Sequence, residues 1–180
     1  SKVPVIGVTP GKIITQHLNA DLPLINGIPA MDIRQDIIKV SVIERHGKNG
    51  NIATGFVKGF GIMEGAIASS VGHDSHNICV VGSDVEAMTL AVNRLISMGG
   101  GFAVAGGSQI LAELPLPIAG LMSDQPHVIV HEKLMELRKA ARAIGCTLPE
   151  PFLQVSFLPL PVIPHLKITD CGLVDVDAFR

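Results

Sequence analysis

Apolar and polar positions follow one another along this chain with two different periods, and the switch between them marks the elements. Residues 1–30 hold short apolar runs split by Pro and Gly: Val3-Pro4-Val5-Ile6, Lys12-Ile13-Ile14 and Leu22-Pro23-Leu24-Ile25. They predict short strands and turns, with a tight turn at Asn26-Gly27. From Asp36 to Arg45 the two-residue repeat places Ile38, Val40 and Val42 on one face of a strand. Asn51 to Phe60 predicts its hairpin partner across the turn Gly47-Lys48-Asn49-Gly50. Gly65 to Val71 and Ile78 to Val81 read as two more apolar strands, separated by the polar segment Gly72-His73-Asp74-Ser75-His76-Asn77.

The period then becomes helical. Ser83-Asp84-Val85-Glu86 has the S-x-x-E spacing of a capping box. Ala87, Leu90, Ala91, Leu95 and Met98 form one stripe, and Gly99-Gly100-Gly101 supplies the stop. Phe102–Ala105 and Gln109–Leu114 flank Gly106-Gly107 as a hairpin. A second helix begins at Asp124-Gln125-Pro126-His127, repeats Val130, Leu134, Leu137, Ala141 and Ile144 every three or four residues, and ends at Gly145. Phe152 to Leu160 has room for one strand inside a Pro-rich tail that excludes a regular central ladder. The sum is an α+β fold, a mixed α/β layer of hairpin-linked strands covered by two main helices and preceded by a short β-rich lead-in. Residues 1–35 are expected to be lead-in strands or the end of another module, and residues 36–180 the domain proper.

Composition adds a surplus of apolar surface. Hydrophobic residues make up 47% of the chain and charged residues 17%, and the mean hydropathy is +0.44. No apolar run reaches the ~20 residues a membrane span needs, so the surplus is expected to face another domain or subunit, as in a homo-oligomer, and no membrane partner is expected. The net charge is -2, and Trp and Tyr are absent. The basic positions of the second predicted helix, Lys133, Arg138, Lys139 and Arg142, are interleaved with Glu132 and Glu136. Without cations and stacking rings together, nucleic acid is not an expected partner. Cys79, Cys146 and Cys171 form no C-x-x-C pair, which fits a reducing compartment with Cys79 and Cys146 as small core residues. No secretory leader is visible, and the cytoplasm is the expected location.

The densest chemistry is His73-Asp74-Ser75-His76-Asn77, which interrupts two apolar strands. Two imidazoles, a carboxylate, a hydroxyl and an amide at a strand end suit substrate binding, proton transfer or support of a metal. A polar turn whose side chains bond their own backbone is the competing reading. His73 and His76 have H-x-x-H spacing with His46 as a candidate third ligand, but a metal site needs three or four. Glu44-Arg45-His46 ends the first strong strand and is expected either to face the same cleft or to sit at an exposed end as a weak ion pair. His127 and His131 share a helix face, yet Met135 breaks the H-E-x-x-H pattern. Dinucleotide, phosphate-loop and nucleophile-elbow motifs are all absent.

Several long strings go further. GFGIMEGAIASSVGHDSHNICVVG (59–82), ERHGKNGNIATGFVKGFG (44–61), LAELPLPIAGLMSD (111–124) and SFLPLPVIPHLKITDCGLVDV (156–176) closely resemble the carboxy-terminal domain of adenine deaminases, and TPGKIIT (9–15) looks like a return from a catalytic barrel. That family lies in the amidohydrolase superfamily. The resemblance implies hydrolysis of adenine to hypoxanthine and ammonia in purine salvage, with a divalent metal (manganese or iron) held mainly by a preceding β/α barrel. Such a barrel takes about 250 residues and begins its ligand set with H-x-H. This chain has no H-x-H and lacks the H-x-E…P-C-x-x-C pattern of the zinc nucleobase deaminases. It is therefore expected to be inactive alone, to bind no metal by itself, and to work with the amidohydrolase barrel domain and adenine as partners. His73, Asp74, Ser75 and His76 are the candidate catalytic residues. Asn77, Glu44, Arg45 and His46 are candidates to hold substrate or to back them. A structural or dimerisation module and a free-standing small-molecule binder are the alternatives.

Overall fold

The computed structural model describes residues 2–179. Strand β1 (Lys2–Gly7) pairs with β2 (Gln16–Asp21), and β3 (Leu24–Ile25) with β4 (Ile28–Pro29). Between β3 and β4, Asn26 and Gly27 both have positive φ (51° and 78°), as a two-residue hairpin turn requires. The alternating segment from Asp36 becomes β5 (Ile37–Ile43), and its hairpin partner is β6 (Ile52–Lys58). Next come β7 (Ala66–Ser69), β8 (Ile78–Gly82), α1 (Val85–Met98), β9 (Gly101–Gly106) and β10 (Gln109–Pro115). The chain finishes with α2 (His127–Ala143), the short α3 (Pro151–Ser156), β11 (Leu166–Thr169) and β12 (Gly172–Asp175).

Eight strands form one sheet in the order β10-β9-β7-β8-β5-β6-β1-β2. Every pairing is antiparallel except β1 with β6, where Ile6 faces Val57 and Gly7 faces Lys58. Residues 2–21 thus belong to the same sheet as residues 37–115. The large mixed sheet with its two main helices is an α+β fold.

One face of the sheet is covered from β10 to β1. Helix α2 lies on β9 and β10, α3 on β7 and β8, and the β11–β12 hairpin on β5, β6 and β1. Ile38, Val40 and Val42 point to this side and are fully buried with Val57, Val81, Leu137, Val155 and Ile168. Burial there pushes the Cys79 thiol up to about 12, which makes it a core atom rather than a nucleophile. On the opposite face α1 covers β7 to β10. Its Ala87, Ala91 and Leu95 sit on Ala66, Ala68, Ala103 and Ala105, so small side chains let the helix approach closely.

Two expectations are corrected. The α1 N-cap is Asp84, not Ser83: Asp84 has extended backbone (φ -139°, ψ 122°) and its carboxylate accepts from Glu86 N at 3.0 Å and Ala87 N at 3.4 Å. Ser83 still belongs to the end of β8, where its hydroxyl accepts from Gly65 N at 3.2 Å. The strand expected from Phe152 to Leu160 is instead α3. Pro151 stands at its first turn, where a fixed φ and a missing N–H favour helix initiation, and Phe152 and Val155 share the buried side.

Candidate functional site at one end of the sheet

Strand β5 ends at Ile43, β7 ends at Ser69, and β6 and β8 begin at Ile52 and Ile78, all at the same end of the sheet. Three loops meet there: 44–51, 70–77 and 116–122. The first two hold every candidate site residue read from the sequence.

Glu44 organises its own loop. Its carboxylate accepts from Lys48 N at 3.0 Å, Asn49 N at 3.3 Å and Gly50 N at 3.2 Å, and also from His46 N. Desolvation pulls its pKa upward, but the N–H groups of Gly50, His46, Asn49 and Lys48 together hold it below the ordinary value. Arg45 makes no ion pair with Glu44. Its Nε donates to the His76 carbonyl at 2.6 Å, and its Nη2 to the Ala119 carbonyl at 2.8 Å. Burial lowers its pKa, yet a guanidinium stays charged at any working pH. His46 donates from Nε2 to the Ser75 carbonyl at 2.7 Å.

The third loop was missed as chemistry in the sequence. Gly120 has φ 73°, and a Cβ there would stand 2.9 Å from the Arg45 guanidinium nitrogens. Its carbonyl accepts from Ser70 Oγ at 2.7 Å, and Ser70 Oγ in turn accepts from Gly101 N at 2.7 Å. The run Ile118-Ala119-Gly120 carries no charged or catalytic residue type, so only a positive-φ glycine hinted at a close approach.

The loop 72–77 is the least satisfied part of the end. His73 rests edge-on against Phe157, ring centres 4.6 Å apart. His73, Asp74 and Ser75 are exposed. His76 has φ 53°, and Asn77 is 4% exposed. His76 Nδ1 and Asn77 Oδ1 are both buried without a hydrogen-bond partner. A buried unpaired polar atom costs about 1–3 kcal/mol, so two adjacent ones mark a segment not at rest in its present surroundings.

Among the described residues, no three His, Cys, Asp or Glu side chains come together closely enough to hold a metal ion. His46 spends its Nε2 on Ser75, and His127 and His131 are exposed on α2. The residues present therefore do not fit a complete metal centre. The basic face of α2 is solvated, with Lys133 paired to Glu136 at 2.7 Å and Arg138 to Glu150 at 2.9 Å. No described helix is long and apolar enough to cross a membrane.

The molecule so far is an α+β domain with three hydrogen-bonded loops, two of them rich in ionisable groups, gathered at one end of its sheet. The family model described as the adenine deaminase C-terminal domain matches residues 12–180, and the chain belongs to that family. It is 63% identical over 180 residues to the adenine deaminase of Methylobacterium nodulans, covering 100% of this chain and 32% of that protein. It is 61% identical over 178 residues to adenine deaminase 1 of Agrobacterium fabrum, with 99% and 31% covered, and 61% identical over 180 residues to the adenine deaminase of Brucella abortus, also with 99% and 31% covered. The chain thus spans about a third of the length of these relatives.

Proposed function

We propose that this chain is the carboxy-terminal part of a deaminase that hydrolyses adenine to hypoxanthine and ammonia, and that its loop 72–77 completes the substrate site. The observation that carries the reading is the pair of buried, unpartnered atoms His76 Nδ1 and Asn77 Oδ1 beside the exposed His73, Asp74 and Ser75. A loop left unsatisfied in this way gains hydrogen bonds by closing around a polar ligand or against a neighbouring domain. In the overall reaction the C6–N bond of adenine breaks and a C6–O bond to water forms; one proton of that water leaves with the amino group as ammonia and the other ends on ring nitrogen N1 of hypoxanthine. An imidazole at His76 suits holding or passing such a proton, and an amide at Asn77 suits gripping a purine edge. A divalent metal, manganese or iron, belongs in this reading to the barrel outside this chain, and no step here runs through it. The chain alone is then inactive, and the complete enzyme works in the cytoplasm for purine salvage, as a homo-oligomer.

A second reading applies to Glu44, Arg45 and His46. Glu44 is spent on the backbone of its own loop, and Arg45 and His46 on backbone carbonyls of the neighbouring loops, which suits a scaffold that fixes the loop rather than contact with substrate. The test is adenine turnover by the full-length enzyme. His73→Ala and His76→Ala are each expected to lower kcat or raise KM by at least tenfold, about the effect of losing one well-placed acid–base or binding group. Wild-type kinetics in both, with folding intact, would leave the loop a structural turn.

A further inference from the structure

The half of the sheet that α1 leaves bare exposes aliphatic side chains among polar ones. On that face β5 presents Ile43 and β6 presents Ile52, and Ile52 is 67% exposed. Helix α1 faces them with Val85 and Ile96, 50% and 59% exposed. Between helix and strands runs a groove of about 360 Å³, continued past Ile43 and Ile96 by a second hollow of about 400 Å³ that reaches Glu44 and Arg45. Apolar side chains this exposed, gathered along one groove, mark a surface made to be covered.

We infer that this groove seats the amino-terminal part of the same polypeptide. Two observations choose that occupant over a second copy. The relatives are far longer than this chain, which spans 32% of one and matches a family described as a C-terminal domain, so their remaining length lies chiefly ahead of Lys2. Strand β1 runs parallel to β6, so Lys2 lies toward the end of the sheet where β6 begins. Preceding chain therefore enters from the end of the sheet to which the groove runs. The second observation rests on the function proposed above. The groove ends at loop 44–51, which meets loop 70–77, and the rest of a deaminase must reach this end if these loops border its substrate.

The test uses the full-length enzyme with the photo-cross-linker p-benzoylphenylalanine in place of Ile52, which this chain leaves 67% exposed at the groove. Light enzyme is mixed with nitrogen-15 enzyme, irradiated without substrate, and the joined peptides are identified by mass spectrometry. The expected product joins position 52 to a peptide preceding Lys2 within one molecule, with no light–heavy hybrids. Hybrids would show a second copy in the groove and overturn the proposal, as would failure to form any cross-link there. Because no substrate is present, the cross-link is independent of catalysis. Its appearance alongside normal kinetics in both His73→Ala and His76→Ala would retain the docking surface and reject the catalytic loop.

Discussion

The two faces of the sheet are made by the same strands and are finished to different degrees. On the closed face, β5 and β6 contribute Ile38, Val40, Val42 and Val57, all fully buried. One residue along, on the other face, the same strands carry Lys39, Ser41, Ile43, Ile52 and Thr54, a mixture of cation, hydroxyl and aliphatic that is only partly covered. Ser41 and Thr54 bond each other across the strands at 2.8 Å. Such a surface is wet enough to stay in solution and apolar enough to receive a partner, whereas the closed face is finished within this chain. Part of the excess hydropathy of the sequence, at Ile52, Val85 and Ile96, lies beside α1.

The largest test of this contrast is a pair of truncations in the 180-residue chain. Leu137 of α2 is fully buried on the closed face, and Leu137→Ala is expected to cost about 2–5 kcal/mol in urea unfolding. Ile52→Ala on the open face is expected to stay within about 0.5 kcal/mol of the parent. Equal losses would mean that the open face already carries packing of its own.

The closed face is complete enough to bury a cation. Lys167 on β11 is 0% exposed, and its Nζ donates to the carbonyls of Ile13 at 2.9 Å and Phe157 at 3.0 Å. Burial lowers its pKa from 10.5 to about 8. The unfolded chain keeps the proton up to about pH 10.4 and the folded chain loses it near 8, so the penalty for the buried charge is present in full below pH 8. Stability is therefore expected to rise from pH 8 toward pH 10, by up to about 3 kcal/mol at ~1.36 kcal/mol per pH unit. Urea titrations across that range check it, with Lys167→Met expected to flatten the rise. A flat parent curve would place Nζ in a wetter setting than this face provides.

Between the faces, at the sheet end, Arg45→Ala removes two hydrogen bonds from a charged donor to backbone carbonyls. A loss of about 2 kcal/mol is expected from such bonds. Arg45→Lys reaches one carbonyl at best and is expected to recover less than half. Full rescue by lysine would show that charge, not the forked geometry, ties loops 70–77 and 116–122 together.

What the sequence disclosed follows the same division. Local periodicity was enough for β5, for the α1 stripe and for the α2 repeat, because each is written in neighbouring residues. Glu44–His46 and His73–Asn77 were visible as polar interruptions of apolar strands, and their shared place follows from β5 pairing with β8. Features set by distant partners were not visible. The parallel β1–β6 pair joins segments some 50 positions apart with no turn to announce it. Lys167 reads as a surface residue until its two carbonyls are seen, and Ala119-Gly120 has no side chain to betray the guanidinium beside it. Helix α3 was misread because a proline that starts a helix and one that interrupts a strand look alike in one dimension.

The smallest expected effect concerns α1, the one described α-helix on the open face. Its first turn is held by Asp84, whose carboxylate takes the N–H groups of Glu86 and Ala87. Asp84→Ala is expected to cost about 1 kcal/mol and Asp84→Asn much less, since the amide oxygen still accepts. Amide exchange at residues 86 and 87 should quicken with the alanine. Ser83→Ala acts elsewhere: it removes the acceptor for Gly65 N at the end of β8, so the exchange change should appear at Gly65 and leave residues 86 and 87 slow. The reverse pattern would return the cap to Ser83. Because Val85 lines the groove just after the cap, fraying the first turn also loosens one wall of the open face while leaving the closed face untouched. The same comparison between faces is thereby tested at its most delicate point.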